Sequence, residues 1–78
     1  MHLFVQSLLG NTWKLNGIKA STRIETLKLL IFRMAGIHPE DQVLVWRQET
    51  LDDCRHVKAY DLPEGCTLRL HPKIRSGF

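Results

Sequence analysis

One stretch of the chain, STRIETLKLLIFRMAGIHP at residues 21–39, carries helical periodicity, and the segments on either side alternate or turn. Ile24, Leu27, Ile31 and Met34, flanked by Leu30, fall on one stripe at helical spacing and are expected to form the buried face of an amphipathic helix. Thr22 and Glu25 have the spacing of a capping box, which starts the helix near Arg23. Gly36 supplies a left-handed C-cap, with Pro39 just beyond it. Leu29 and Phe32 do not fit the stripe: at about 100° per residue they project away from Leu27 and are expected to be exposed. A lone helix with one apolar stripe must bury it against another layer, and in so short a chain that layer is a sheet.

The strands are legible from period-two alternation. Met1, Leu3 and Val5 alternate with His2, Phe4 and Gln6, a glycine-containing turn follows at Leu8 to Asn11, and Trp13 and Leu15 resume the pattern. This reads as an antiparallel hairpin with a bulged loop and one buried face that includes Trp13. The run from Gln42 to Arg47 is strongly β-prone, with Trp46 on the parity opposite Val45 and partly exposed. TLDD after it reads as a short strand leading into a turn, Val57 to Tyr60 as one helical turn, and Cys66 to His71 as a last strand with Leu68 and Leu70 on one face. The order strand, strand, helix, strand, short strand, strand implies an α+β fold, a mixed sheet with one helix packed across it.

Seventy-eight residues suffice for one small domain, and 44% hydrophobic with 24% charged residues is a globular balance. No apolar run approaches the roughly 18 residues that a membrane span needs, and the start lacks a secretory signal pattern. An intracellular chain, cytoplasmic or nuclear, and monomeric, is therefore expected. Cys54 and Cys66 are expected to be free thiols. Neither Cys54 with His56 nor Cys66 with His71 has a third ligand or orienting group at a suitable spacing, so no catalytic site, metal or cofactor is expected. The net charge of +3 favours acidic partners, but the eleven basic residues are scattered, which leaves nucleic-acid binding unsupported.

Over nearly its full length the chain resembles ubiquitin and the ubiquitin-like domains, through residues 1–5, 8–12, 24–28, 36–42, 51–53 and 60–70, with one extra residue near Gly17. The resemblance implies a β-grasp fold over residues 1–75, with 76–78 a tail or the start of a linker, and a recognition module without a catalytic site. Glu64 to Leu68 resembles the ubiquitin-like domain found ahead of AN1-type zinc fingers. Conjugated members end in an exposed Gly-Gly; here Ser76, Gly77 and Phe78 stand at that place, which implies a non-conjugating type. The acceptor-lysine positions hold Gln6, Asn11, Lys28, Leu30, Met34, Glu49 and Glu64, so chain building in the usual linkages is not expected.

The docking patch of ubiquitin corresponds to Leu8, Val45, Arg69 and His71, of which two stay apolar. Burying Arg69 or His71 unpartnered costs about 1–3 kcal/mol, so a receptor is expected to supply an acidic group. The patch is also expected to be pH-sensitive, because an unperturbed imidazole titrates at about pH 6.5. Trp46 and Arg47 extend the rim, and Leu29 with Phe32 form a second candidate interface for a neighbouring domain of the same polypeptide, such as an ankyrin-like, zinc-finger or catalytic domain. The expected partners are proteins: ubiquitin-binding domains, proteasomal receptors or domains of the same chain. Two alternatives stay open: a conjugated modifier after trimming to Gly77, and a weak nucleic-acid binder.

Overall fold

The computed structural model describes residues 1–73. Its elements run β1 (Leu3–Ser7), β2 (Thr12–Leu15), α1 (Ile24–Ala35), a 3-10 turn (Pro39–Asp41), β3 (Gln42–Trp46), β4 (Glu49–Thr50), a second 3-10 turn (Val57–Tyr60) and β5 (Thr67–Pro72). The strands form one five-stranded mixed sheet in the order β2-β1-β5-β3-β4, with β1 and β5 parallel and the other neighbours antiparallel. This is the α+β, β-grasp arrangement expected from the sequence. Among the described residues no helix is long and apolar enough to cross a membrane. The domain end expected at residue 75 and the tail at 76–78 lie outside the described residues.

Alternation decides which side of each strand is buried. Leu3 and Val5 of β1, Leu44 of β3, and Leu68 and Leu70 of β5 face inward and pack with Ile24, Leu27 and Ile31 of α1. Trp13, expected in this core, is half-buried and packs against its border. The hairpin between β1 and β2 closes through Gly10, whose φ of 92° suits a residue without a Cβ. Its backbone N–H donates to Ser7 O at 3.0 Å.

Two expectations about the helix are corrected. Met34 is 52% exposed, and the stripe is instead continued by Lys28, which is buried among the apolar residues, and by half-buried Ala35. From Ile24, Met34 lies about 280° around the helix, at the edge of the stripe, whereas Ala35 lies about 20° from Ile24, well inside it. The capping box does not form either: Arg23 is the N-cap without a side-chain bond, and Thr22 Oγ1 accepts from Lys19 N–H at 2.9 Å instead. The first amides of α1 are satisfied from a distance, with Ile24 N–H donating to Arg55 O at 3.0 Å and Glu25 N–H to Asp53 O at 3.3 Å. The same loop places Asp53 Oδ1 2.5 Å from Lys28 Nζ, which compensates the buried ammonium. At the other end Gly36 is the expected left-handed cap, with φ 75°.

A third correction concerns the end of β3. The strand stops at Trp46, and Arg47 and Gln48 form a two-residue turn with φ of 51° and 68°, flanked by the pair Trp46 and Glu49. β4 is Glu49–Thr50, so only Thr50 of the TLDD segment is in a strand.

Candidate interaction surface

The sheet has an outer face, opposite the helix, built from the residues that alternate with the core. Register sets its rows: Thr12 pairs with Gln6, Gln6 with Arg69, Arg69 with Val45 and Val45 with Thr50. One step along, His71 pairs with Val43. Val45, Arg69 and His71, which the sequence placed on one surface, are thus neighbours on adjacent strands.

The surface divides into two hollows that share His71. The first, of about 550 Å³, is lined by Val45, Trp46, Arg47, Gln48, Thr50, Thr67, Arg69 and His71. The second, of about 530 Å³, is lined by Ser7, Leu8, Leu9, Ile37, Asp41, Leu70, His71, Pro72 and Lys73. Leu8 therefore joins the patch from the neighbouring hollow, with His71 as the link. Leu8 is 61% exposed and Leu9 is 92% exposed, which leaves two leucines of the β1–β2 turn in water.

Trp46 and Arg47 are brought to the first hollow by different means. Trp46 has the inward parity of Leu44 but stands at the end of β3, where it packs against the border of the core and stays half-exposed. Arg47 follows in the left-handed turn, and its guanidinium carbon sits 5.1 Å from the centroid of the Trp46 ring, a cation–π distance. Sequence reasoning missed Thr50, Thr67 and Gln48 in this hollow, and Ile37 and Leu9 in the second. Parity identifies Thr67, which alternates with Leu68; the others come from turns or from pairings between distant segments.

Leu29 and Phe32 lie on α1, are 51% and 36% exposed, and line neither hollow. Phe32 is stacked on His38, ring centroids 4.9 Å apart and planes at 27°, so one of its faces is covered.

Of the two cysteines, Cys54 is exposed and Cys66 half-buried, and both are free thiols. Burial pushes the Cys66 thiol above its ordinary pKa, with the nearby Arg47 charge acting in the opposite direction. Glu64 is held below the usual carboxylate range chiefly because its Oε2 accepts the His2 backbone N–H at 2.6 Å. The His2 ring also approaches Glu64, with Nδ1 at 3.3 Å from Oε2.

Comparison with known proteins agrees with this architecture. The model of the ubiquitin family matches residues 3–75. Among curated proteins, the chain is similar to AN1-type zinc finger protein 4 of Mus musculus, at 32% identity over 77 residues that cover 99% of this chain and 10% of that protein. The chain thus spans about a tenth of the length of the curated relative it matches.

Proposed function

The chain belongs to the ubiquitin family, and from that premise we propose that it is a non-conjugated ubiquitin-like domain, one module of a larger intracellular protein, that acts as a monomer by being bound. Its partners are ubiquitin-binding domains, proteasomal receptors or neighbouring domains of the same polypeptide. They dock on the outer face of the sheet, with Leu8 and Val45 as apolar contacts, Arg69 and His71 between them, and Trp46 and Arg47 at the rim. The observation that carries this reading is the register of β3 on β5, which sets Val45 beside Arg69 and Val43 beside His71 on a face that no helix covers. Leu29 and Phe32 offer a second contact for a domain of the same polypeptide, a role supported by their exposure on α1.

The test is Val45→Asp with a ubiquitin-associated domain as the probe, read by titration calorimetry. Val45 is only half-buried and pairs across from Arg69, so an aspartate there gains a cross-strand ion pair worth about 0.2–1 kcal/mol and the fold survives. Loss of the central apolar contact is expected to weaken binding by about tenfold or more. Wild-type affinity in a folded Val45→Asp protein would overturn the proposal.

A further inference from the structure

The chain leaves β2 through Leu15-Asn16-Gly17-Ile18, and the two outer residues of that link are fixed. Leu15 is 1% exposed and pairs with Leu3, and Ile18 is 2% exposed. Ile18 also exchanges two hydrogen bonds with Met1: its N–H donates to Met1 O at 3.0 Å, and its carbonyl accepts from Met1 N at 2.8 Å. Between them Asn16 and Gly17 stand exposed, where the chain carries one residue more than ubiquitin.

The pair is open to ring closure between its own atoms. Gly17 has a φ of 72°, which disfavours a side chain, and the place its Cβ would take has no atom within 4 Å. Among the described residues neither the Asn16 carboxamide nor the Gly17 N–H makes a hydrogen bond. Neither a side chain nor a hydrogen bond therefore holds the Gly17 nitrogen away from Asn16 Cγ. Asn11, the other asparagine, is the contrast. The residue after it is β-branched Thr12, the first of β2, and Asn11 is held twice, its carbonyl accepting from Ser7 N–H at 2.8 Å and its N–H donating to Ser7 Oγ at 3.2 Å.

We infer that Asn16 is a site of spontaneous conversion to aspartate and isoaspartate. The Gly17 nitrogen attacks Asn16 Cγ; the N–Cγ bond forms, the Cγ–Nδ2 bond breaks, and ammonia leaves with the proton that the Gly17 nitrogen carried. Water then opens the succinimide, so each event consumes one water and releases one ammonia without oxidation or reduction. Opening at Cγ leaves aspartate, which keeps the backbone and adds a negative charge. Opening at the backbone carbonyl leaves isoaspartate, whose main chain runs through Cβ and Cγ and is one methylene longer. Leu15 and Ile18 are both anchored in the core, so the extra length is taken up at the seam between Met1 and Ile18. Loss of one hydrogen bond there corresponds to a fall in Tm of roughly 4–8 °C for a domain of this size.

In the experiment the 78-residue chain and its N16Q variant are incubated at neutral pH, sampled over time and digested with trypsin, with an unincubated sample as the baseline. Cleavage after Lys14 and Lys19 isolates Asn16 in peptide 15–19 and leaves Asn11 in peptide 1–14. Mass spectrometry is expected to show exchange of NH for O in peptide 15–19 at least about tenfold faster than at Asn11, and within about tenfold of its rate in urea. Isoaspartate, read as methyl acceptance from S-adenosylmethionine with an isoaspartyl methyltransferase as the reagent, is expected in wild type and not in N16Q. The isoaspartyl fraction, separated by ion exchange, is expected to melt below the unmodified chain. Conversion no faster than that of Asn11, or more than about tenfold slower in the folded chain than in urea, would overturn the inference. Equal methyl acceptance in N16Q would overturn it too, and an isoaspartyl fraction that melts with the unmodified chain would overturn the anchored link.

Discussion

Replacing Asp53 with alanine should destabilise the domain through Lys28, a residue on a different element. Lys28 is 7% exposed and its ammonium lies against Asp53 Oδ1, so removing the carboxylate leaves a buried charge without compensation. For a fully buried pair that loss costs about 3–5 kcal/mol. The Asp53 side chain is 53% exposed, so water reaches the pair and the expected cost falls to about 2 kcal/mol. Lys28→Met keeps the volume of the side chain and removes the charge, so it should change stability by no more than about 1.5 kcal/mol. The double variant should then be more stable than Asp53→Ala alone, with a coupling of about 1–2 kcal/mol. Urea unfolding followed by the fluorescence of Trp13 and Trp46 gives all three values. With a slope of about 1 kcal/mol/M for so small a domain, Asp53→Ala should lower the midpoint by about 2 M. A loss below about 0.5 kcal/mol, or strict additivity of the two substitutions, would refute this reasoning.

Other consequences follow from the turns, the thiols and the depressed carboxyl of Glu64. Gln48→Gly should relieve the positive φ at the β3–β4 turn, adding about 1 kcal/mol and raising Tm by about 4–8 °C; an unchanged Tm counts against strain there. Iodoacetamide at neutral pH should modify exposed Cys54 well before Cys66, whose thiol is pushed up by burial, and mass spectrometry showing equal rates would contradict that environment. Glu64 has a depressed folded pKa, so its stabilising contribution is present above its unfolded pKa and lost as pH falls through the folded one. Glu64→Gln should accordingly flatten the acid side of the stability profile, and an identical acid profile in the variant would argue against the His2 contact.

Strand parity was fully legible: Leu3, Val5, Leu44, Leu68 and Leu70 are inward because the side-chain period is two, whatever their neighbours. What parity cannot supply is register: Val45 and Arg69 entered the candidate surface through the resemblance, and only the pairing of β3 with β5 shows that they face each other. The helix shows the complementary error. Reading apolar identity favoured Met34, whereas angle alone favours Lys28 and Ala35; burial of a lysine becomes affordable only because Asp53 arrives from a distant loop. The same loop explains why Thr22 and Glu25 are not a capping box, since its carbonyls already take the helix amides that a local cap would satisfy. Arg47 was read into the strand because neither it nor Gln48 is a turn-forming residue type; the left-handed turn follows from pairing Trp46 with Glu49. The split of the candidate surface into two hollows likewise depends on where the β1–β2 turn and Ile37 come to rest, which no local pattern encodes.

Docking of partners on the outer face of the sheet, as proposed, has a direct readout. A two-dimensional amide NMR titration of the labelled domain with a ubiquitin-associated domain tests it most directly. Saturable shifts centred on Leu8, Val45, Arg69 and His71 are expected. Saturable binding that leaves those amides unmoved, with shifts gathered instead around Leu29 and Phe32 on α1, would contradict it.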